Sequence, residues 1–375
     1  VVLVNGEPEP ESYESLGEAI RSAPNGAVIE LRMDGPLITP CLVIRQDRLT
    51  IRAAPGFRPE IMPDRDLSGD AQALLTTSGQ LRLEGLALSV RRHRVSGLQD
   101  RDLHVVLCRD GGLQMLNCRL ERSGTSSCLK LDGVTSSRVE NCELLSGNGA
   151  GIEWKPTRDA SLIVRNSLFI GEAGCAVPHP AENTGFPRLQ VLQCVLATRY
   201  GLELILPAGT SRETDSGGPV GVVCRYSVFA VGNSVLRIGL PEKEQLSGRP
   251  KNFENMAARI RAAIVWRDDR TLFGDQSQMQ FFSCSGRSRL SDFPDELRDW
   301  CRFWGMKSFH RPVQNRIQFR SGESQTKRPP YPLRLAREYA VDQPLPVNAG
   351  REKFGIDPLI VGPGAGYVQW ISRLE

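Results

Sequence analysis

The sequence predicts an all-β solenoid, a coil in which short parallel strands stack along one axis. Three observations support this class: a repeated motif, two-residue alternation within each copy, and the composition of a turn-rich folded chain. The 375 residues are 40% hydrophobic and 24% charged, with 36 Gly and 25 Pro. These fractions exclude a chain that is mostly disordered and disfavour an all-helical bundle.

The repeat is a short segment with the pattern apolar-x-apolar-x-polar-(Cys/Ser)-x-apolar. Copies read LQMLNCRL, SRVENCEL, LIVRNSLF, LQVLQCVL and VGVVCRYSVF, with a weaker copy, LRLEGLAL, at residue 81. The fifth position of the motif falls at Asn117, Asn141, Asn166, Gln193 and Tyr226. A step of about 25 residues is too short for a helical hairpin of about 34, whereas short alternating strands suit one turn of a β-solenoid.

A second series of strands lies between these copies. It reads CLKLDG, GIEWKP, CAVPHP and LELILP, starting at residues 128, 151, 175 and 202. Every turn therefore supplies at least two strands, which stack on their equivalents about 4.8 Å away. The alternation of apolar and polar residues predicts one face inside the coil and one face in water.

Stacking should align equivalent side chains of successive turns in columns, here called files. Asn117, Asn141 and Asn166 are predicted to form an amide ladder at one corner. The next, inward file contains Cys118, Cys142, Ser167 and Cys194. Parallel side-chain vectors oppose a disulfide between stacked cysteines, so we expect the thiols to be reduced.

The ten cysteines include no C-x-x-C pair, and the four histidines include no i, i+4 pair. Zinc sites usually have such spacings. We therefore predict no metal site and no cofactor.

The second strand series also predicts an outward charged face. Lys130, Glu153 and Glu203 share one file, with Ala176 between the two glutamates. Arg109, Asp132 and Lys155 share the next file. Opposite charges on neighbouring turns are expected of a solvated sheet, and the same face is the candidate ligand-binding surface. No catalytic residue is assigned.

The two ends of the chain differ from the repeats. Ser15-Leu-Gly-Glu18 is a capping box that opens a short amphipathic helix, suited to cover the open end of a solenoid. We predict an N-terminal cap at 1–26 and a coil at 27–285 with a helical insert at about 250–265. Residues 286–375 are predicted to form a helix and an irregular segment that packs on the coil.

Two segments carry a resemblance to known families. SLGEAIRSAPNGAVIEL followed by LTIRAAPGFRPEI resembles the start of the right-handed parallel β-helix of pectin-lyase-like proteins. LTIRAAPGFRP, together with the terminal VGPGAGYVQW, resembles the non-catalytic region that follows the kinase domain in planctomycete serine/threonine protein kinases. The resemblance implies a right-handed coil that senses, binds or scaffolds. The chain has no H-R-D loop and no D-F-G motif, so kinase activity would reside outside it.

Three other motifs receive structural interpretations. Asp215-Ser216-Gly217-Gly218-Pro219 resembles a protease loop, but no histidine has the matching context. Gly362-Pro-Gly-Ala-Gly366 leaves only nine residues after it, too few for a nucleotide fold. The basic runs at 91–94 and 327–328 lie in a chain of net charge +4, which predicts no nucleic-acid partner.

We therefore expect a non-enzymatic binding, sensing or scaffolding region whose ligand is a glycan or a protein. The alternative is a carbohydrate-active enzyme, a polysaccharide lyase or glycoside hydrolase of pectin-lyase-like fold. No stretch reaches the roughly 18 apolar residues of a membrane span. The compartment stays open between the cytoplasm and the non-cytoplasmic part of a membrane-anchored kinase.

Overall fold

The chain forms a parallel β-solenoid, as the repeat predicts. The computed structural model describes residues 2–4, 11–64, 71–91, 103–179, 185–206, 218–239, 253–274, 279–284, 294, 296–306, 312–315, 317 and 355. Within these residues the strands form two large sheets, one of 11 strands (sheet A) and one of 17 strands (sheet B). The prediction of an all-β solenoid is therefore confirmed.

Three helices and 28 strands lie in the described residues. The helices are α1 (Leu16–Ser22), α2 (Phe253–Ala263) and α3 (Leu297–Phe303). The first fourteen strands are β1 (Val2–Val4), β2 (Glu11–Ser12), β3 (Val28–Leu31), β4 (Gly35–Thr39), β5 (Leu42–Ile44), β6 (Arg48–Ala53), β7 (Pro59–Pro63), β8 (Ala73–Thr77), β9 (Gln80–Glu84), β10 (Ala87–Val90), β11 (His104–Arg109), β12 (Gly112–Leu116), β13 (Arg119–Arg122) and β14 (Leu129–Asp132). The other fourteen are β15 (Ser136–Glu140), β16 (Glu143–Ser146), β17 (Ala150–Lys155), β18 (Ser161–Arg165), β19 (Leu168–Pro178), β20 (Arg188–Leu192), β21 (Val195–Ile205), β22 (Val220–Arg225), β23 (Val228–Phe229), β24 (Ser234–Gly239), β25 (Ile264–Asp269), β26 (Leu272–Gly274), β27 (Gln280–Cys284) and β28 (Val313–Asn315).

Sheet A contains the strands of the repeated motif. Its order is β2-β1-β3-β6-β9-β12-β15-β18-β20-β22-β25. The strands from β3 to β25 are parallel, whereas β1 pairs antiparallel with both β3 and β2. The antiparallel strands cover the edge of β3, which would otherwise present unpaired backbone groups.

Each typical turn contributes two further segments to sheet B. One line of pairings runs through β4, β7, β10, β13 and β16, and the other runs through β5, β8, β11, β14 and β17. The 11-residue strands β19 and β21 belong to both lines. A turn of the coil therefore has three strand segments.

The corner after each sheet A strand from β9 to β25 has a left-handed backbone. Asn117, Asn141 and Asn166 have φ values of 53°, 55° and 45°. Gln193 and Tyr226 occupy the same position, with φ values of 54° and 49°. Asparagine is among the few L-residues that adopt this region readily, which explains its recurrence at the fifth position of the motif.

The inward file after this corner consists of small polar side chains. Cys118, Cys142 and Cys194 are fully buried, and each thiol donates to the carbonyl two residues earlier. The Ser167 hydroxyl donates in the same way to Arg165 and accepts the Cys142 backbone N–H at 3.1 Å. All ten cysteines of the chain are free thiols. Each stacked sulfur in this file is therefore hydrogen-bonded to a carbonyl, and the reduced state of the thiols in solution stays a prediction.

The helix α1 covers the N-terminal end of the coil. The Ser15 hydroxyl accepts the Glu18 backbone N–H at 3.1 Å, as the capping box predicts. Leu16 and Ile20 are buried in the core of the solenoid. Gln46, from the first turn, donates to the Ile20 carbonyl at 2.6 Å and thereby fixes the end of the helix.

Aromatic rings fill the C-terminal end of the coil. Trp266 on β25 lies 5.2 Å from the ring of Trp300 on α3, and both side chains are buried. The Asp268 carboxylate accepts both indole N–H groups, at 2.7 Å from Trp266 and 3.3 Å from Trp300. The aromatic cluster also contains Phe273, Phe281, Phe282, Phe303 and Trp304. The hydrogen bond from Trp300 to Asp268 and these ring contacts attach α3 to the coil.

Two contacts show the chain returning to the coil after residue 285. The strand β28 pairs in parallel with β26, and the Gly355 backbone N–H donates to the Tyr226 carbonyl at 2.8 Å. The helix α2 falls within the predicted insert at 250–265. Most of 286–375 lies outside the described residues, so the predicted domain boundaries stay a prediction.

Candidate functional site

The six predicted ligand-binding residues lie in two adjacent files of sheet B. Lys130 pairs in register with Glu153, Glu153 with Ala176, and Ala176 with Glu203. In the next file Arg109 pairs with Asp132, and Asp132 with Lys155. The strand register therefore brings these residues together in the predicted order. Their role in binding a ligand stays a prediction.

Ion pairs join most of these side chains across turns. The Lys130 ammonium lies 2.9 Å from the Glu153 carboxylate, and the Lys155 ammonium lies 3.2 Å from Asp132. Glu203 pairs with Arg237 of the following turn at 3.3 Å. The Arg109 guanidinium donates to the Gln72 side-chain carbonyl. Each carboxylate of the predicted face is therefore neutralised by a cation one turn away.

Glu203 lies in a more buried part of this face. Burial raises the pKa of its carboxyl above the ordinary range, the Arg237 guanidinium opposes this rise, and the Glu172 carboxylate adds to it. Arg237 also lies 4.5 Å from the centre of the Tyr200 ring. Tyr200 is itself buried, and its hydroxyl accepts the Asn233 side-chain N–H at 3.3 Å. Because the Tyr200 ring is already covered, it offers no free platform for a sugar.

His104 lies beside this face, and no sequence motif predicts a role for it. Its Nδ1 atom lies 2.8 Å from the Ser127 hydroxyl oxygen. Burial lowers the pKa of the imidazole, while the Glu153 carboxylate opposes that change. The hydrogen bond between His104 and the buried Ser127 stabilises the turn before β14. This contact could not be predicted from His104 alone, because its partner Ser127 is 23 positions away in the sequence.

The outward face of sheet A is a second charged surface, which the repeat pattern did not predict. Its arginines alternate with the buried residues of each strand and point away from the core. Eight arginines and four carboxylates lie on this face: Arg48, Arg52, Arg82, Arg138, Arg165, Arg188, Arg225 and Arg267, with Glu30, Glu84, Glu140 and Asp269. No lysine occurs in these strands. The face therefore carries a net positive charge.

The charges of sheet A are distributed unevenly along the coil. In the N-terminal half, Arg52 pairs with Glu30 at 3.0 Å and Arg138 pairs with Glu140 at 2.7 Å. Arg82 and Glu84 also form an ion pair. In the C-terminal half, the one carboxylate on the outward side of β18, β20, β22 and β25 is Asp269, which lies 3.7 Å from Arg225. We call the outward surface of these four strands the arginine face.

The described part of the chain offers no evident place for a metal ion or a membrane span. Among those residues, no group of three or more His, Cys, Asp or Glu side chains is arranged to hold a metal. The helices in the same ranges are too short or too polar to cross a bilayer. Comparisons with protein-family models, curated proteins and solved structures find no match to this chain.

Proposed function

We propose that this chain is a non-enzymatic binding or scaffolding region built on a β-solenoid. The observation that carries the proposal is the pairing of the predicted site's carboxylates. Asp132, Glu153 and Glu203 each face a cation of a neighbouring turn at 3.3 Å or less. Such pairs hold a parallel sheet in register against like-charge stacking, and each engages one oxygen of a carboxylate that an acid–base reaction would use.

We include in the same proposal the right-handed twist of the coil, its likeness to pectin-lyase-like proteins and its attachment to a kinase. A right-handed coil is supported by the right-handed twist of β-strands, which favours right-handed crossovers between parallel strands of one sheet. The pectin-lyase-like assignment rests on the motif at the start of the chain. Attachment to a serine/threonine kinase rests on the two end motifs and is tested by the reading frame that encodes the chain. An upstream kinase domain would support it, and a reading frame that encodes no kinase would contradict it.

One observation favours the alternative, a carbohydrate-active enzyme. Glu153 and Glu203 lie two turns apart with only the small Ala176 between them. Two turns correspond to about 10 Å, near the carboxylate separation of inverting glycosidases. Burial also raises the pKa of Glu203, as a general acid requires. Its ion pair with Arg237 counts against this role, because a nearby cation favours the ionised form.

The test is a search for turnover. The full chain is incubated with polygalacturonate and other acidic glycans, with and without calcium, and both new reducing ends and unsaturated products are followed. We expect no turnover. Turnover that Glu153→Gln or Asp132→Asn abolishes, while the matched sheet A variant Glu140→Gln retains it, would establish the enzymatic alternative.

A further inference from the structure

We infer that the arginine face of sheet A binds an acidic segment of polypeptide that also carries apolar side chains. The inference rests on the proposed binding function and names its partner. It concerns a different surface from the charged files of sheet B, whose cations are mostly paired. Four features of the face support it: exposure, charge imbalance, aliphatic residues between the arginines, and an exposed aromatic ring.

The arginines of this face are available to a ligand. Arg165, Arg188, Arg225 and Arg267 are all exposed. Among the described residues, Arg165, Arg188 and Arg267 form no ion pair with a carboxylate. Four cations with one carboxylate present a positive potential, so the complementary partner is anionic. Guanidinium groups also match the planar geometry of a carboxylate better than ammonium groups do.

Aliphatic side chains lie between these arginines. Leu192 pairs in register with Arg165 on one side and with Arg225 on the other. In the adjacent file, Val223 pairs in register with Arg267. Leu192 and Val223 are both half-buried. An aliphatic group that separates two arginines gives a partner's apolar side chain a contact that hydroxyl groups of a glycan would not use.

An aromatic ring extends the apolar part of the face. Phe186 is 37% exposed although its ring lies against the strand β22. A Cβ atom at Gly221 would lie 2.7 Å from this ring, so glycine at this position lets the ring lie flat on the sheet. The Arg188 guanidinium is 5.8 Å from the ring centre. Protein–protein interfaces are typically enriched in arginine and aromatic residues and depleted in lysine, as this face is.

The register also sets the spacing of the charges. Arg165 and Arg225 are two turns apart, which is about 10 Å along the coil axis. A partner with carboxylates at about this separation and a leucine-sized side chain between them would meet both arginines and Leu192. We therefore expect an extended Asp/Glu-rich segment interrupted by Leu, Ile or Phe to bind along the coil axis.

The test measures binding of a defined peptide to the full chain. The probe is a fluorescein-labelled peptide that alternates Asp or Glu with Leu or Ile, and fluorescence anisotropy reports the Kd. The double variant Arg165→Glu, Arg267→Glu should raise the Kd by about 10-fold or more. The charge-matched double variant Arg45→Glu, Arg58→Glu, at two exposed arginines outside both charged faces, should change it by less than about 2-fold. Thermal melts verify that both variants fold.

A second variant separates a peptide partner from a polyanionic glycan. Leu192→Ser should raise the Kd of the alternating peptide about 5-fold and leave that of an oligoaspartate peptide unchanged. Absence of saturable binding, or equal loss in the two double variants, would overturn the inference. Heparin or polygalacturonate that binds more tightly than the peptide, with no response to Leu192→Ser, would instead assign the face to an acidic glycan. Each of these results is independent of the turnover assay.

Discussion

The Asn166 side-chain amide donates to the Asn141 side-chain carbonyl at 2.8 Å and joins two successive turns of the coil. Both residues also have a left-handed backbone, with φ values of 45° and 55°. Asparagine therefore serves two purposes at this corner. It tolerates the left-handed conformation of this corner, and it forms one rung of an amide ladder between Asn141 and Asn166, whereas the Asn117 side-chain oxygen accepts no hydrogen bond.

The two contributions can be separated at Asn141. Asn141→Ala should lower the free energy of unfolding by about 2 kcal/mol, because alanine loses the ladder bond and also strains the left-handed backbone. Asn141→Gly loses the bond but keeps the conformation, and should cost about 1 kcal/mol. Urea denaturation measures both values. If glycine were as costly as alanine, the backbone would not be the reason for asparagine here.

The regular files of the coil were predictable because one motif places the same residue type on every turn. Asn117, Asn141 and Asn166 are aligned by spacings of 24 and 25 residues, so their stacking followed directly from the sequence. The amide hydrogen bond joins Asn141 and Asn166 but does not extend to the Asn117 side-chain oxygen. Although Arg237 continues the outward file of Glu203, it was missed because a long insertion between turns separates it from the preceding repeats.

Other features depend on contacts that no repeat encodes. The sheet A arginines were not assembled into a face because the variable positions of the motif differ in type, as Gln114, Arg138 and Ile163 show. The carboxylate of Asp268 occupies an inward position that holds Cys224 one turn earlier. One of its two indole partners, Trp300, comes from α3, which is distant in sequence. Tertiary packing decides such positions, and alternation within one strand does not reveal them.

The second prediction concerns the thiols. All ten cysteines are free, and burial raises the pKa of Cys128, Cys175 and Cys194 to about 12. Thiolate is the reactive form, so buried cysteines should react very slowly in the native protein. Alkylation followed by mass spectrometry should label all ten in denaturant without reductant. The partly exposed Cys41 serves as the internal reference for native labelling. A denatured count below ten would show disulfide formation.

The third prediction concerns Asp268 and pH. Burial raises the pKa of this carboxyl to about 6 from an ordinary 3.8, although the indole hydrogen bonds from Trp266 and Trp300 oppose the rise. Between these two pH values the folded state holds a proton that the unfolded state has released. The contribution of Asp268 to stability is therefore greatest in acid and falls as pH rises toward 6, by up to about 3 kcal/mol.

Asp268→Asn removes this titration and keeps an oxygen acceptor for the indoles. Urea denaturation of both proteins at pH 4, 5, 6 and 7 gives the difference in their free energies of unfolding at each pH. Taking this difference removes the pH dependence that the other carboxylates contribute equally to both proteins. We expect the variant to gain stability relative to the parent as pH increases from 4 to 6, with little further change at pH 7. A difference that is constant with pH would show that Asp268 titrates normally.

The fourth prediction concerns glycines within the long strands β19 and β21 of sheet B. A Cβ atom at Gly201 would lie 2.7 Å from the Phe229 ring and 2.7 Å from the Val235 carbonyl oxygen. Phe229 is fully buried, and Val235 O belongs to the backbone of the next turn, so neither atom can move away cheaply. The arrangement recurs one turn earlier, where Gly174 lies against Leu196. Glycine here allows a large core side chain of the following strand segment to pack against the backbone.

Gly201→Ala should therefore lower the free energy of unfolding by about 1–3 kcal/mol, because overpacking forces the ring or the backbone to shift. The matched control is Gly232→Ala, since a Cβ atom there would have its nearest neighbour at 3.9 Å, the Arg199 Cα atom. That variant should stay within about 0.5 kcal/mol of the parent.

The double variant Gly201→Ala, Phe229→Leu provides the decisive comparison. If the ring is the obstacle, the smaller side chain should relieve part of the strain, and the two substitutions should cost less together than the sum of their separate costs. Simple additivity would mean that the contact with Phe229 does not set the requirement for glycine.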